Sequence, residues 1–148
     1  MIIQFIVCFF ATLSFAVLFS APKRELVFCG LTGAAGWMVY LILIDSNAGL
    51  AVANLGASFT LTLMSRIFAA LKRHPVTVYL LAGIFPLVPG AGIYYTSYYF
   101  IMHEMEQFAA KGAETLIVAG SIVFGIVFGF SLPQSLFNAL PRIQKKSH

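Results

Sequence analysis

Apolar residues along this chain fall into long runs that are separated by short polar stretches. A run of about 20 apolar residues is long enough to cross a bilayer as an α-helix. Five runs are of this length, at residues 2–20, 26–44, 50–70, 76–102 and 115–137. They are joined by short connections at 21–25, 45–49 and 71–75 and by a longer one at 103–114. The pattern predicts an all-α integral membrane protein with five transmembrane helices, forming a single transmembrane domain over residues 1–148 with a basic tail at 138–148.

The fourth run is interrupted by the sequence FPLVPGAGIYY at residues 85–95. Pro86 and Pro89 have no backbone N–H, and each proline disfavours helical dihedrals in the residue before it, here Phe85 and Val88. Without a break, the run would form a helix roughly 40 Å long, which exceeds the roughly 30 Å of a hydrocarbon core. We therefore expect the fourth transmembrane helix to be broken at this Pro-x-x-Pro-Gly motif.

The residues after the break suggest a binding site for an anion. Gly90, Ala91 and Gly92 would form the first turn of a new half-helix, with unpaired N–H groups and the positive end of the helix dipole facing any adjacent cavity. Broken helices bind substrate carboxylates in this way in many secondary transporters. A proline kink whose polar groups are satisfied by neighbouring helices is the structural alternative, and the sequence leaves both open.

Lysine and arginine are concentrated on one side of the five-span arrangement. Eight of the nine basic residues fall there, and only Lys111 falls on the other side. Because cytoplasmic loops carry the excess of basic residues, we expect the N-terminus outside and the basic tail in the cytoplasm. No basic residue stands between Met1 and the first run, which we therefore interpret as a retained span and not as a cleaved signal.

The third run carries a polar stripe. Asn54, Ser58, Thr62 and Ser65 are spaced by four, four and three residues, so they share one helical face. A polar stripe at membrane depth must face protein or water, and it would either hold helices together or line a substrate path. Arg66 lies one turn from the cytoplasmic end of the run, where it would either extend to the interface or draw in an anionic substrate.

Tyrosines follow the break in two pairs. Tyr94 and Tyr98 share one helical face, and Tyr95 and Tyr99 share the next. Tyrosine favours the membrane interface because its ring is apolar and its hydroxyl polar. Tyr94 is nearest the break, so we expect its hydroxyl to face the substrate, with Tyr98 one turn further along the same face.

Small residues line two of the predicted spans, where they allow helix backbones to approach closely. They are Gly30, Gly33, Ala34 and Gly36 in the second span and Ser121, Gly125 and Gly129 in the fifth. Internal packing and a subunit interface both account for them. An odd number of spans cannot divide into two equal halves, so an inverted repeat of the transporter kind would require a partner chain or a second copy.

The sequence offers little for catalysis or cofactor binding. It contains no Ser-His-Asp set, no nucleotide-binding loop and no paired carboxylates within a span, so we expect neither an enzyme nor a cofactor. His103, Glu104 and Glu106 are interpreted as solvated charge at a membrane edge and not as a metal site. Cys8 and Cys29 fall in apolar runs and are interpreted as packing residues. The basic residues are few and lie beside membrane spans, which argues against nucleic acid as a partner.

Several features follow one another along the chain in the same order as in a known protein family. Arg66 is followed by a loop with His74 and Pro75, then by about ten apolar residues, then by PLVPG at 86–90, then by Tyr94. In this order, and in its length and hydropathy profile, the chain resembles the threonine/serine exporter family, and within it the small membrane subunit that corresponds to the C-terminal half of single-chain exporters. The resemblance implies a bacterial inner-membrane exporter of threonine and serine, or of a dicarboxylate such as succinate, that works with a larger partner subunit.

Three functions therefore remain. The first is a transporter subunit for small carboxylate-bearing metabolites, with Pro86, Pro89, Gly90, Ala91, Gly92, Tyr94, Tyr98, Asn54, Ser58, Thr62 and Arg66 as candidate substrate-binding residues. The second is a membrane scaffold that transports nothing and docks a larger protein through its small-residue faces. The third is a homo-oligomeric channel. The sequence does not identify the coupling ion, and a proton would need a histidine, a terminal carboxylate, the substrate or a group on the partner as its carrier.

Overall fold

The computed structural model describes residues 1–134, and this part of the chain consists of helices and short turns. The helices are α1 (Ile2–Leu18), α2 (Leu26–Asp45), α3 (Leu50–Lys72), α4 (Val76–Ile84), α5 (Gly90–Ile101) and α6 (Met105–Ser131). Residues 1–134 contain no β-strand, which confirms the all-α prediction for this range. The basic tail at 138–148 lies outside the described residues.

Three of these helices, α2, α3 and α6, are long and apolar enough to cross a membrane. The segment Val76–Leu87, which contains α4, meets the same criterion when it is taken together with α5, and the two are bent by 51° relative to each other. Helix α1 is apolar but shorter, at 17 residues. The described chain therefore has three to four candidate membrane spans by length and composition, plus one shorter apolar helix.

The break in the fourth predicted run has a defined local structure. Helix α4 ends at Ile84, a 3-10 turn covers Phe85–Leu87, and α5 begins at Gly90. Val88 is extended (φ −59°, ψ 127°), as expected for a residue before proline. The same expectation is wrong for Phe85, which is helical (φ −52°, ψ −42°). Its ring stacks on Phe15 of α1 at a centroid distance of 4.1 Å, and this packing holds the residue in place.

Helix α6 begins ten residues before the predicted start of the fifth span. The prediction of a connection at 103–114 is wrong, because only Met102, His103 and Glu104 separate α5 from α6. Polar residues in the first turns of α6 obscured the helix in the apolar pattern. At the other end α6 stops at Ser131, close before Pro133, and residues 135–137 of the predicted span lie outside the described range.

Small residues bring α1, α2, α3 and α6 into close contact. A Cβ added at Gly33 of α2 would overlap Thr12 of α1, and one added at Gly125 or Gly129 of α6 would overlap Ser58 or Thr62 of α3. The small-residue faces at these positions are thus used inside the chain. Helix α3 occupies the centre of the described structure, packing on α2, α4 and α6.

Helix α5 lies at the edge of the bundle. It packs mainly on α6, and none of its twelve residues is buried. Ile93, Phe100 and Ile101 are more than half exposed. An apolar surface of this kind faces lipid or another protein chain.

Candidate functional site

A cavity of about 360 Å³ lies beside the helix break, and we call it the break cavity. Four parts of the chain form it: the C-terminal half of α2, the first turns of α3, the break with the start of α5, and α6. Its lining consists of Trp37, Tyr40, Leu50, Asn54, Pro86, Leu87, Val88, Pro89, Gly90, Ala91, Gly92, Tyr95, Lys111, Glu114, Thr115 and Val118. The volume is typical of a site for a small molecule.

The start of α5 forms one wall of the break cavity. Gly90 N–H donates a hydrogen bond to the Val88 carbonyl (2.7 Å), and Ile93 N–H donates to the Pro89 carbonyl (3.0 Å). The expectation that Gly90 N–H would be unpaired is therefore wrong, because the chain makes a tight turn just before the helix. Ala91 and Gly92 remain in the first turn, where a helix has no partners of its own for its N–H groups.

The two glycines of this turn differ in their surroundings. A Cβ at Gly90 would meet nothing within 4 Å, whereas a Cβ at Gly92 would overlap Thr115 of α6. Gly92 is thus needed for the contact between α5 and α6. Gly90 leaves open space on the cavity side.

A charged pair lies on the α6 wall. Lys111 Nζ is 2.8 Å from Glu114 Oε2, and both side chains are partly exposed. The sequence interpretation missed both residues as site candidates because it placed them in a connection outside the membrane. The signal that could have found them is their spacing of three residues, which puts an acid and a base on one helical face.

Asn54 supplies a polar group from the α3 wall. Its side chain is 3% exposed, and its Nδ2 donates to the Leu50 carbonyl (2.8 Å). Trp37 and Tyr40 of α2 also line the cavity and stack on each other, with ring centroids 5.0 Å apart. Both aromatic residues were missed, because an apolar run does not reveal which of its side chains face a cavity.

The rest of the polar stripe on α3 lies away from the break cavity. Ser58, Thr62 and Ser65 are buried, and their hydroxyls donate to carbonyls of their own helix at 2.8 to 3.1 Å. Gly125 and Gly129 of α6 lie against Ser58 and Thr62. The sequence left open whether the stripe holds helices together or lines a substrate path. Ser58 and Thr62 have the geometry of the first alternative, because they pack between α3 and α6.

Arg66 is bound to the C-terminal end of α6. Its guanidinium donates to the carbonyl of Gly129 (2.6 Å) and to Gln134 Oε1 (3.3 Å), and it lies over the Phe130 ring at 5.9 Å. Carbonyls at a helix C-terminus lack donors from their own helix and carry the negative end of the dipole. Arg66 is only 4% exposed, so in this structure it caps α6 and does not reach the break cavity.

The tyrosines on α5 separate into two groups. Tyr95 lines the break cavity, whereas Tyr94 and Tyr98 are absent from its lining. Tyr94 is 64% exposed, and its ring stacks on Tyr98 at a centroid distance of 6.5 Å. The structure therefore places Tyr95, and not Tyr94, beside the break.

Six of the eleven sequence-predicted site residues come together in this cavity: Pro86, Pro89, Gly90, Ala91, Gly92 and Asn54. The other five lie elsewhere in the fold. Within residues 1–134 no group of three or more His, Cys, Asp or Glu side chains is arranged to hold a metal ion.

Comparison with known families gives a match over residues 4–132 to the family described as "Threonine/Serine exporter, ThrE". The chain belongs to the threonine/serine exporter family. Family membership confirms the resemblance seen in the sequence, and with the apolar helices it describes a multi-pass membrane protein of exporter type. Exporters of this family are transporters and not, in general, enzymes. No solved structure matches the chain.

Proposed function

We propose that this chain is the membrane subunit of a secondary exporter for small carboxylate-bearing metabolites, and that substrate binds in the break cavity. One observation carries the proposal. In a chain of the exporter family, a single cavity brings together the first turn of α5, the Lys111 ammonium and the buried amide of Asn54.

The lining has the chemistry to hold a carboxylate. The N–H groups of Ala91 and Gly92 and the positive end of the α5 dipole favour an anion, and Lys111 adds a full positive charge. A bound substrate would separate Lys111 from Glu114, and its charged groups would pair with the two side chains instead. A carboxylate would pair with Lys111, and the ammonium group of threonine or serine would pair with Glu114. A dicarboxylate such as succinate would use Lys111 and the first turn of α5 but would meet Glu114 unfavourably.

Five membrane crossings accommodate the described helices. Helix α1 is about 25 Å long at its 17 residues, close to the thickness of a hydrocarbon core. Helices α4 and α5 form one broken span, with its break near mid-membrane because α4 is about 13 Å long at nine residues. In a bacterial inner membrane, the distribution of basic residues then favours an N-terminus outside and a C-terminus in the cytoplasm.

A larger partner subunit would complete the pathway. The break cavity is open beside α5, where Gly90 and Ala91 remain exposed, and α5 itself buries no residue. A partner chain on this side would cover the apolar face of α5 and close the cavity. With five crossings in one chain, the partner would also supply the second half of any repeated architecture.

The test is efflux of preloaded threonine, serine and succinate from cells that produce this chain alone or together with a candidate large subunit. Export only in the presence of the partner is the expected result. Export by the chain alone would favour a homo-oligomer. If no substrate left the cells in either case, with the chain inserted in the membrane, the exporter proposal would fail and a scaffold role would replace it.

A further inference from the structure

Within residues 1–134, one carboxylate side chain is buried, and it lies away from the break cavity. Glu25 precedes α2 directly and is 5% exposed. Its Oε2 accepts a hydrogen bond from the Tyr79 hydroxyl of α4 (2.7 Å). Its Oε1 faces His74 Nε2 at 3.8 Å, and the His74 side chain is 39% exposed. In the sequence Glu25 ends the short connection at 21–25, and it is not among the candidate site residues.

Helix capping does not account for this carboxylate. Glu25 stands at the N-cap position of α2, where an acidic side chain commonly accepts from a backbone N–H, but it makes no side-chain cap hydrogen bond. Both oxygens are directed at side chains from a different part of the chain. Burying a carboxylate is costly unless it is paired or neutralised, and an ionisable group buried in a membrane bundle commonly marks a proton or ion pathway.

We propose that Glu25, His74 and Tyr79 form a proton-binding site, in which Glu25 holds the proton and His74 exchanges it with the aqueous side. An imidazole exchanges protons with water at physiological pH, and the exposed side of His74 gives water access to it. For the transfer, His74 Nε2 first has to move from 3.8 Å to hydrogen-bonding distance of Glu25 Oε1. The N–H bond at His74 Nε2 then breaks and an O–H bond forms at Glu25 Oε1. The imidazolium becomes a neutral imidazole and the carboxylate becomes a neutral carboxyl group.

The groups around Glu25 allow this exchange. Tyr79 faces the carboxylate from α4, and His74 faces it from the connection between α3 and α4. The Cys29 thiol of α2, one helical turn after Glu25, donates to the Val78 carbonyl (3.5 Å). At the end of α3, Lys72 Nζ lies over the Phe28 ring at 4.2 Å. The carboxylate thus has a phenol at hydrogen-bonding distance and an imidazole at 3.8 Å.

The site is connected to the break through α4. Tyr79 lies in the first turns of α4, and the same nine-residue helix ends at the break. Loss of the Glu25 charge would weaken its attraction to a protonated His74 and change how the start of α4 is held against α2. The inference that this movement drives export rests on the proposed function. The binding of the proton itself does not.

Infrared spectroscopy of the purified full chain in lipid tests the proton site directly. Lowering the pH should add a C=O stretching band of a buried, protonated carboxyl group in the wild type, and Glu25→Gln should remove it. Tyr79→Phe should shift the band without removing it, because the hydrogen bond to the carboxyl is lost. Glu106→Gln, at an exposed position, should leave it unchanged.

Absence of a Glu25-dependent band at every pH at which the chain keeps its helical content would overturn the proposal. If Glu25→Gln does not insert, His74→Gln decides instead, because removal of the exchanging group should slow the appearance of the band after a pH jump. An unchanged rate would contradict the role of His74.

A transport measurement separates this proposal from the function of the break cavity. In vesicles with active wild-type exporter, Glu25→Gln should keep exchange of substrate for substrate but lose export driven by a pH gradient. Loss of both activities in a folded variant would make Glu25 a structural residue and overturn the coupling role. If the wild type itself transports none of the substrates, the proposed function fails, while the infrared result still decides whether Glu25 binds a proton.

Discussion

At the scale of single residues, two sets of polar side chains in this membrane bundle have different surroundings. Asn54, Lys111 and Glu114 line the break cavity, while Ser58 and Thr62 form bonds within α3 and pack on α6. Residues of one helical stripe thus have different surroundings, because α3 passes first the cavity and then the glycine face of α6. Only the first set offers groups to a substrate.

Lys111 tests the charge requirement of the cavity. Lys111→Gln removes the ammonium group while keeping a polar side chain, and Lys111→Arg keeps the charge. We expect Lys111→Gln to raise several-fold the substrate concentration that gives half-maximal export, and Lys111→Arg to stay closer to the wild type. Concentration dependence of threonine efflux measures both. Equal behaviour of Lys111→Gln and the wild type would exclude Lys111 from substrate binding.

The structural role of Arg66 at the end of α6 can be tested by measuring the stability of variants. Arg66→Met removes the hydrogen bond to the Gly129 carbonyl and should cost about 1.5–3 kcal/mol, the range for hydrogen bonds of charged groups. Arg66→Lys keeps the charge but not the planar fork of donors, so we expect an intermediate loss. Thermal unfolding in detergent reports the effect. A stable Arg66→Met variant with impaired export would instead support contact with substrate.

At the scale of helices, the contact between α3 and α6 depends on glycines. A Cβ at Gly125 would overlap Ser58, whereas a Cβ at Gly120 on the same helix meets nothing within 4 Å. Gly125→Leu should therefore separate the helices and lower the unfolding temperature strongly, since overpacking a tight contact costs about 1–3 kcal/mol or more. Gly120→Leu is the matched control and should be nearly neutral. Similar melting of the two variants would contradict the packing described here.

Prolines and glycines act locally on the backbone, and α4 ends at Ile84, before Pro86, while α5 begins at Gly90. The start of α6 was not predictable from apolar runs, since Glu106 and Lys111 interrupt them although the helix continues. It also could not be predicted from sequence that Tyr95, and not Tyr94, lines the break cavity. It depends on how α5 rotates against α6, which is set by the contact of Gly92 with Thr115.

At the scale of the whole molecule, the described helices place two polar sites toward opposite ends of one bundle. The buried Glu25 lies at the start of α2, and the break cavity lies against its C-terminal half. Helix α4 runs between them. This arrangement would allow the proposed proton site at one end to act on the break cavity through a single short helix.

The orientation in the membrane can be measured with cysteine labels. In a chain with Cys8→Ala and Cys29→Ala, a cysteine at Glu104 should react with an impermeant maleimide in intact cells. A cysteine at Lys23 should react only after the membrane is opened. Both positions are exposed in the structure. The reverse labelling would invert the topology, and labelling of both in intact cells would contradict an odd number of crossings between these two positions.

The most direct test of the central claim compares two glycine variants in threonine efflux. Gly90→Leu and Gly120→Leu both place a side chain in open space, so both should fold and insert, but only Gly90 lines the break cavity. With the full exporter assembled, we expect Gly90→Leu to abolish export and Gly120→Leu to keep it near the wild-type rate. Wild-type export by Gly90→Leu, at equal amounts of protein in the membrane, would show that substrate does not pass through this cavity.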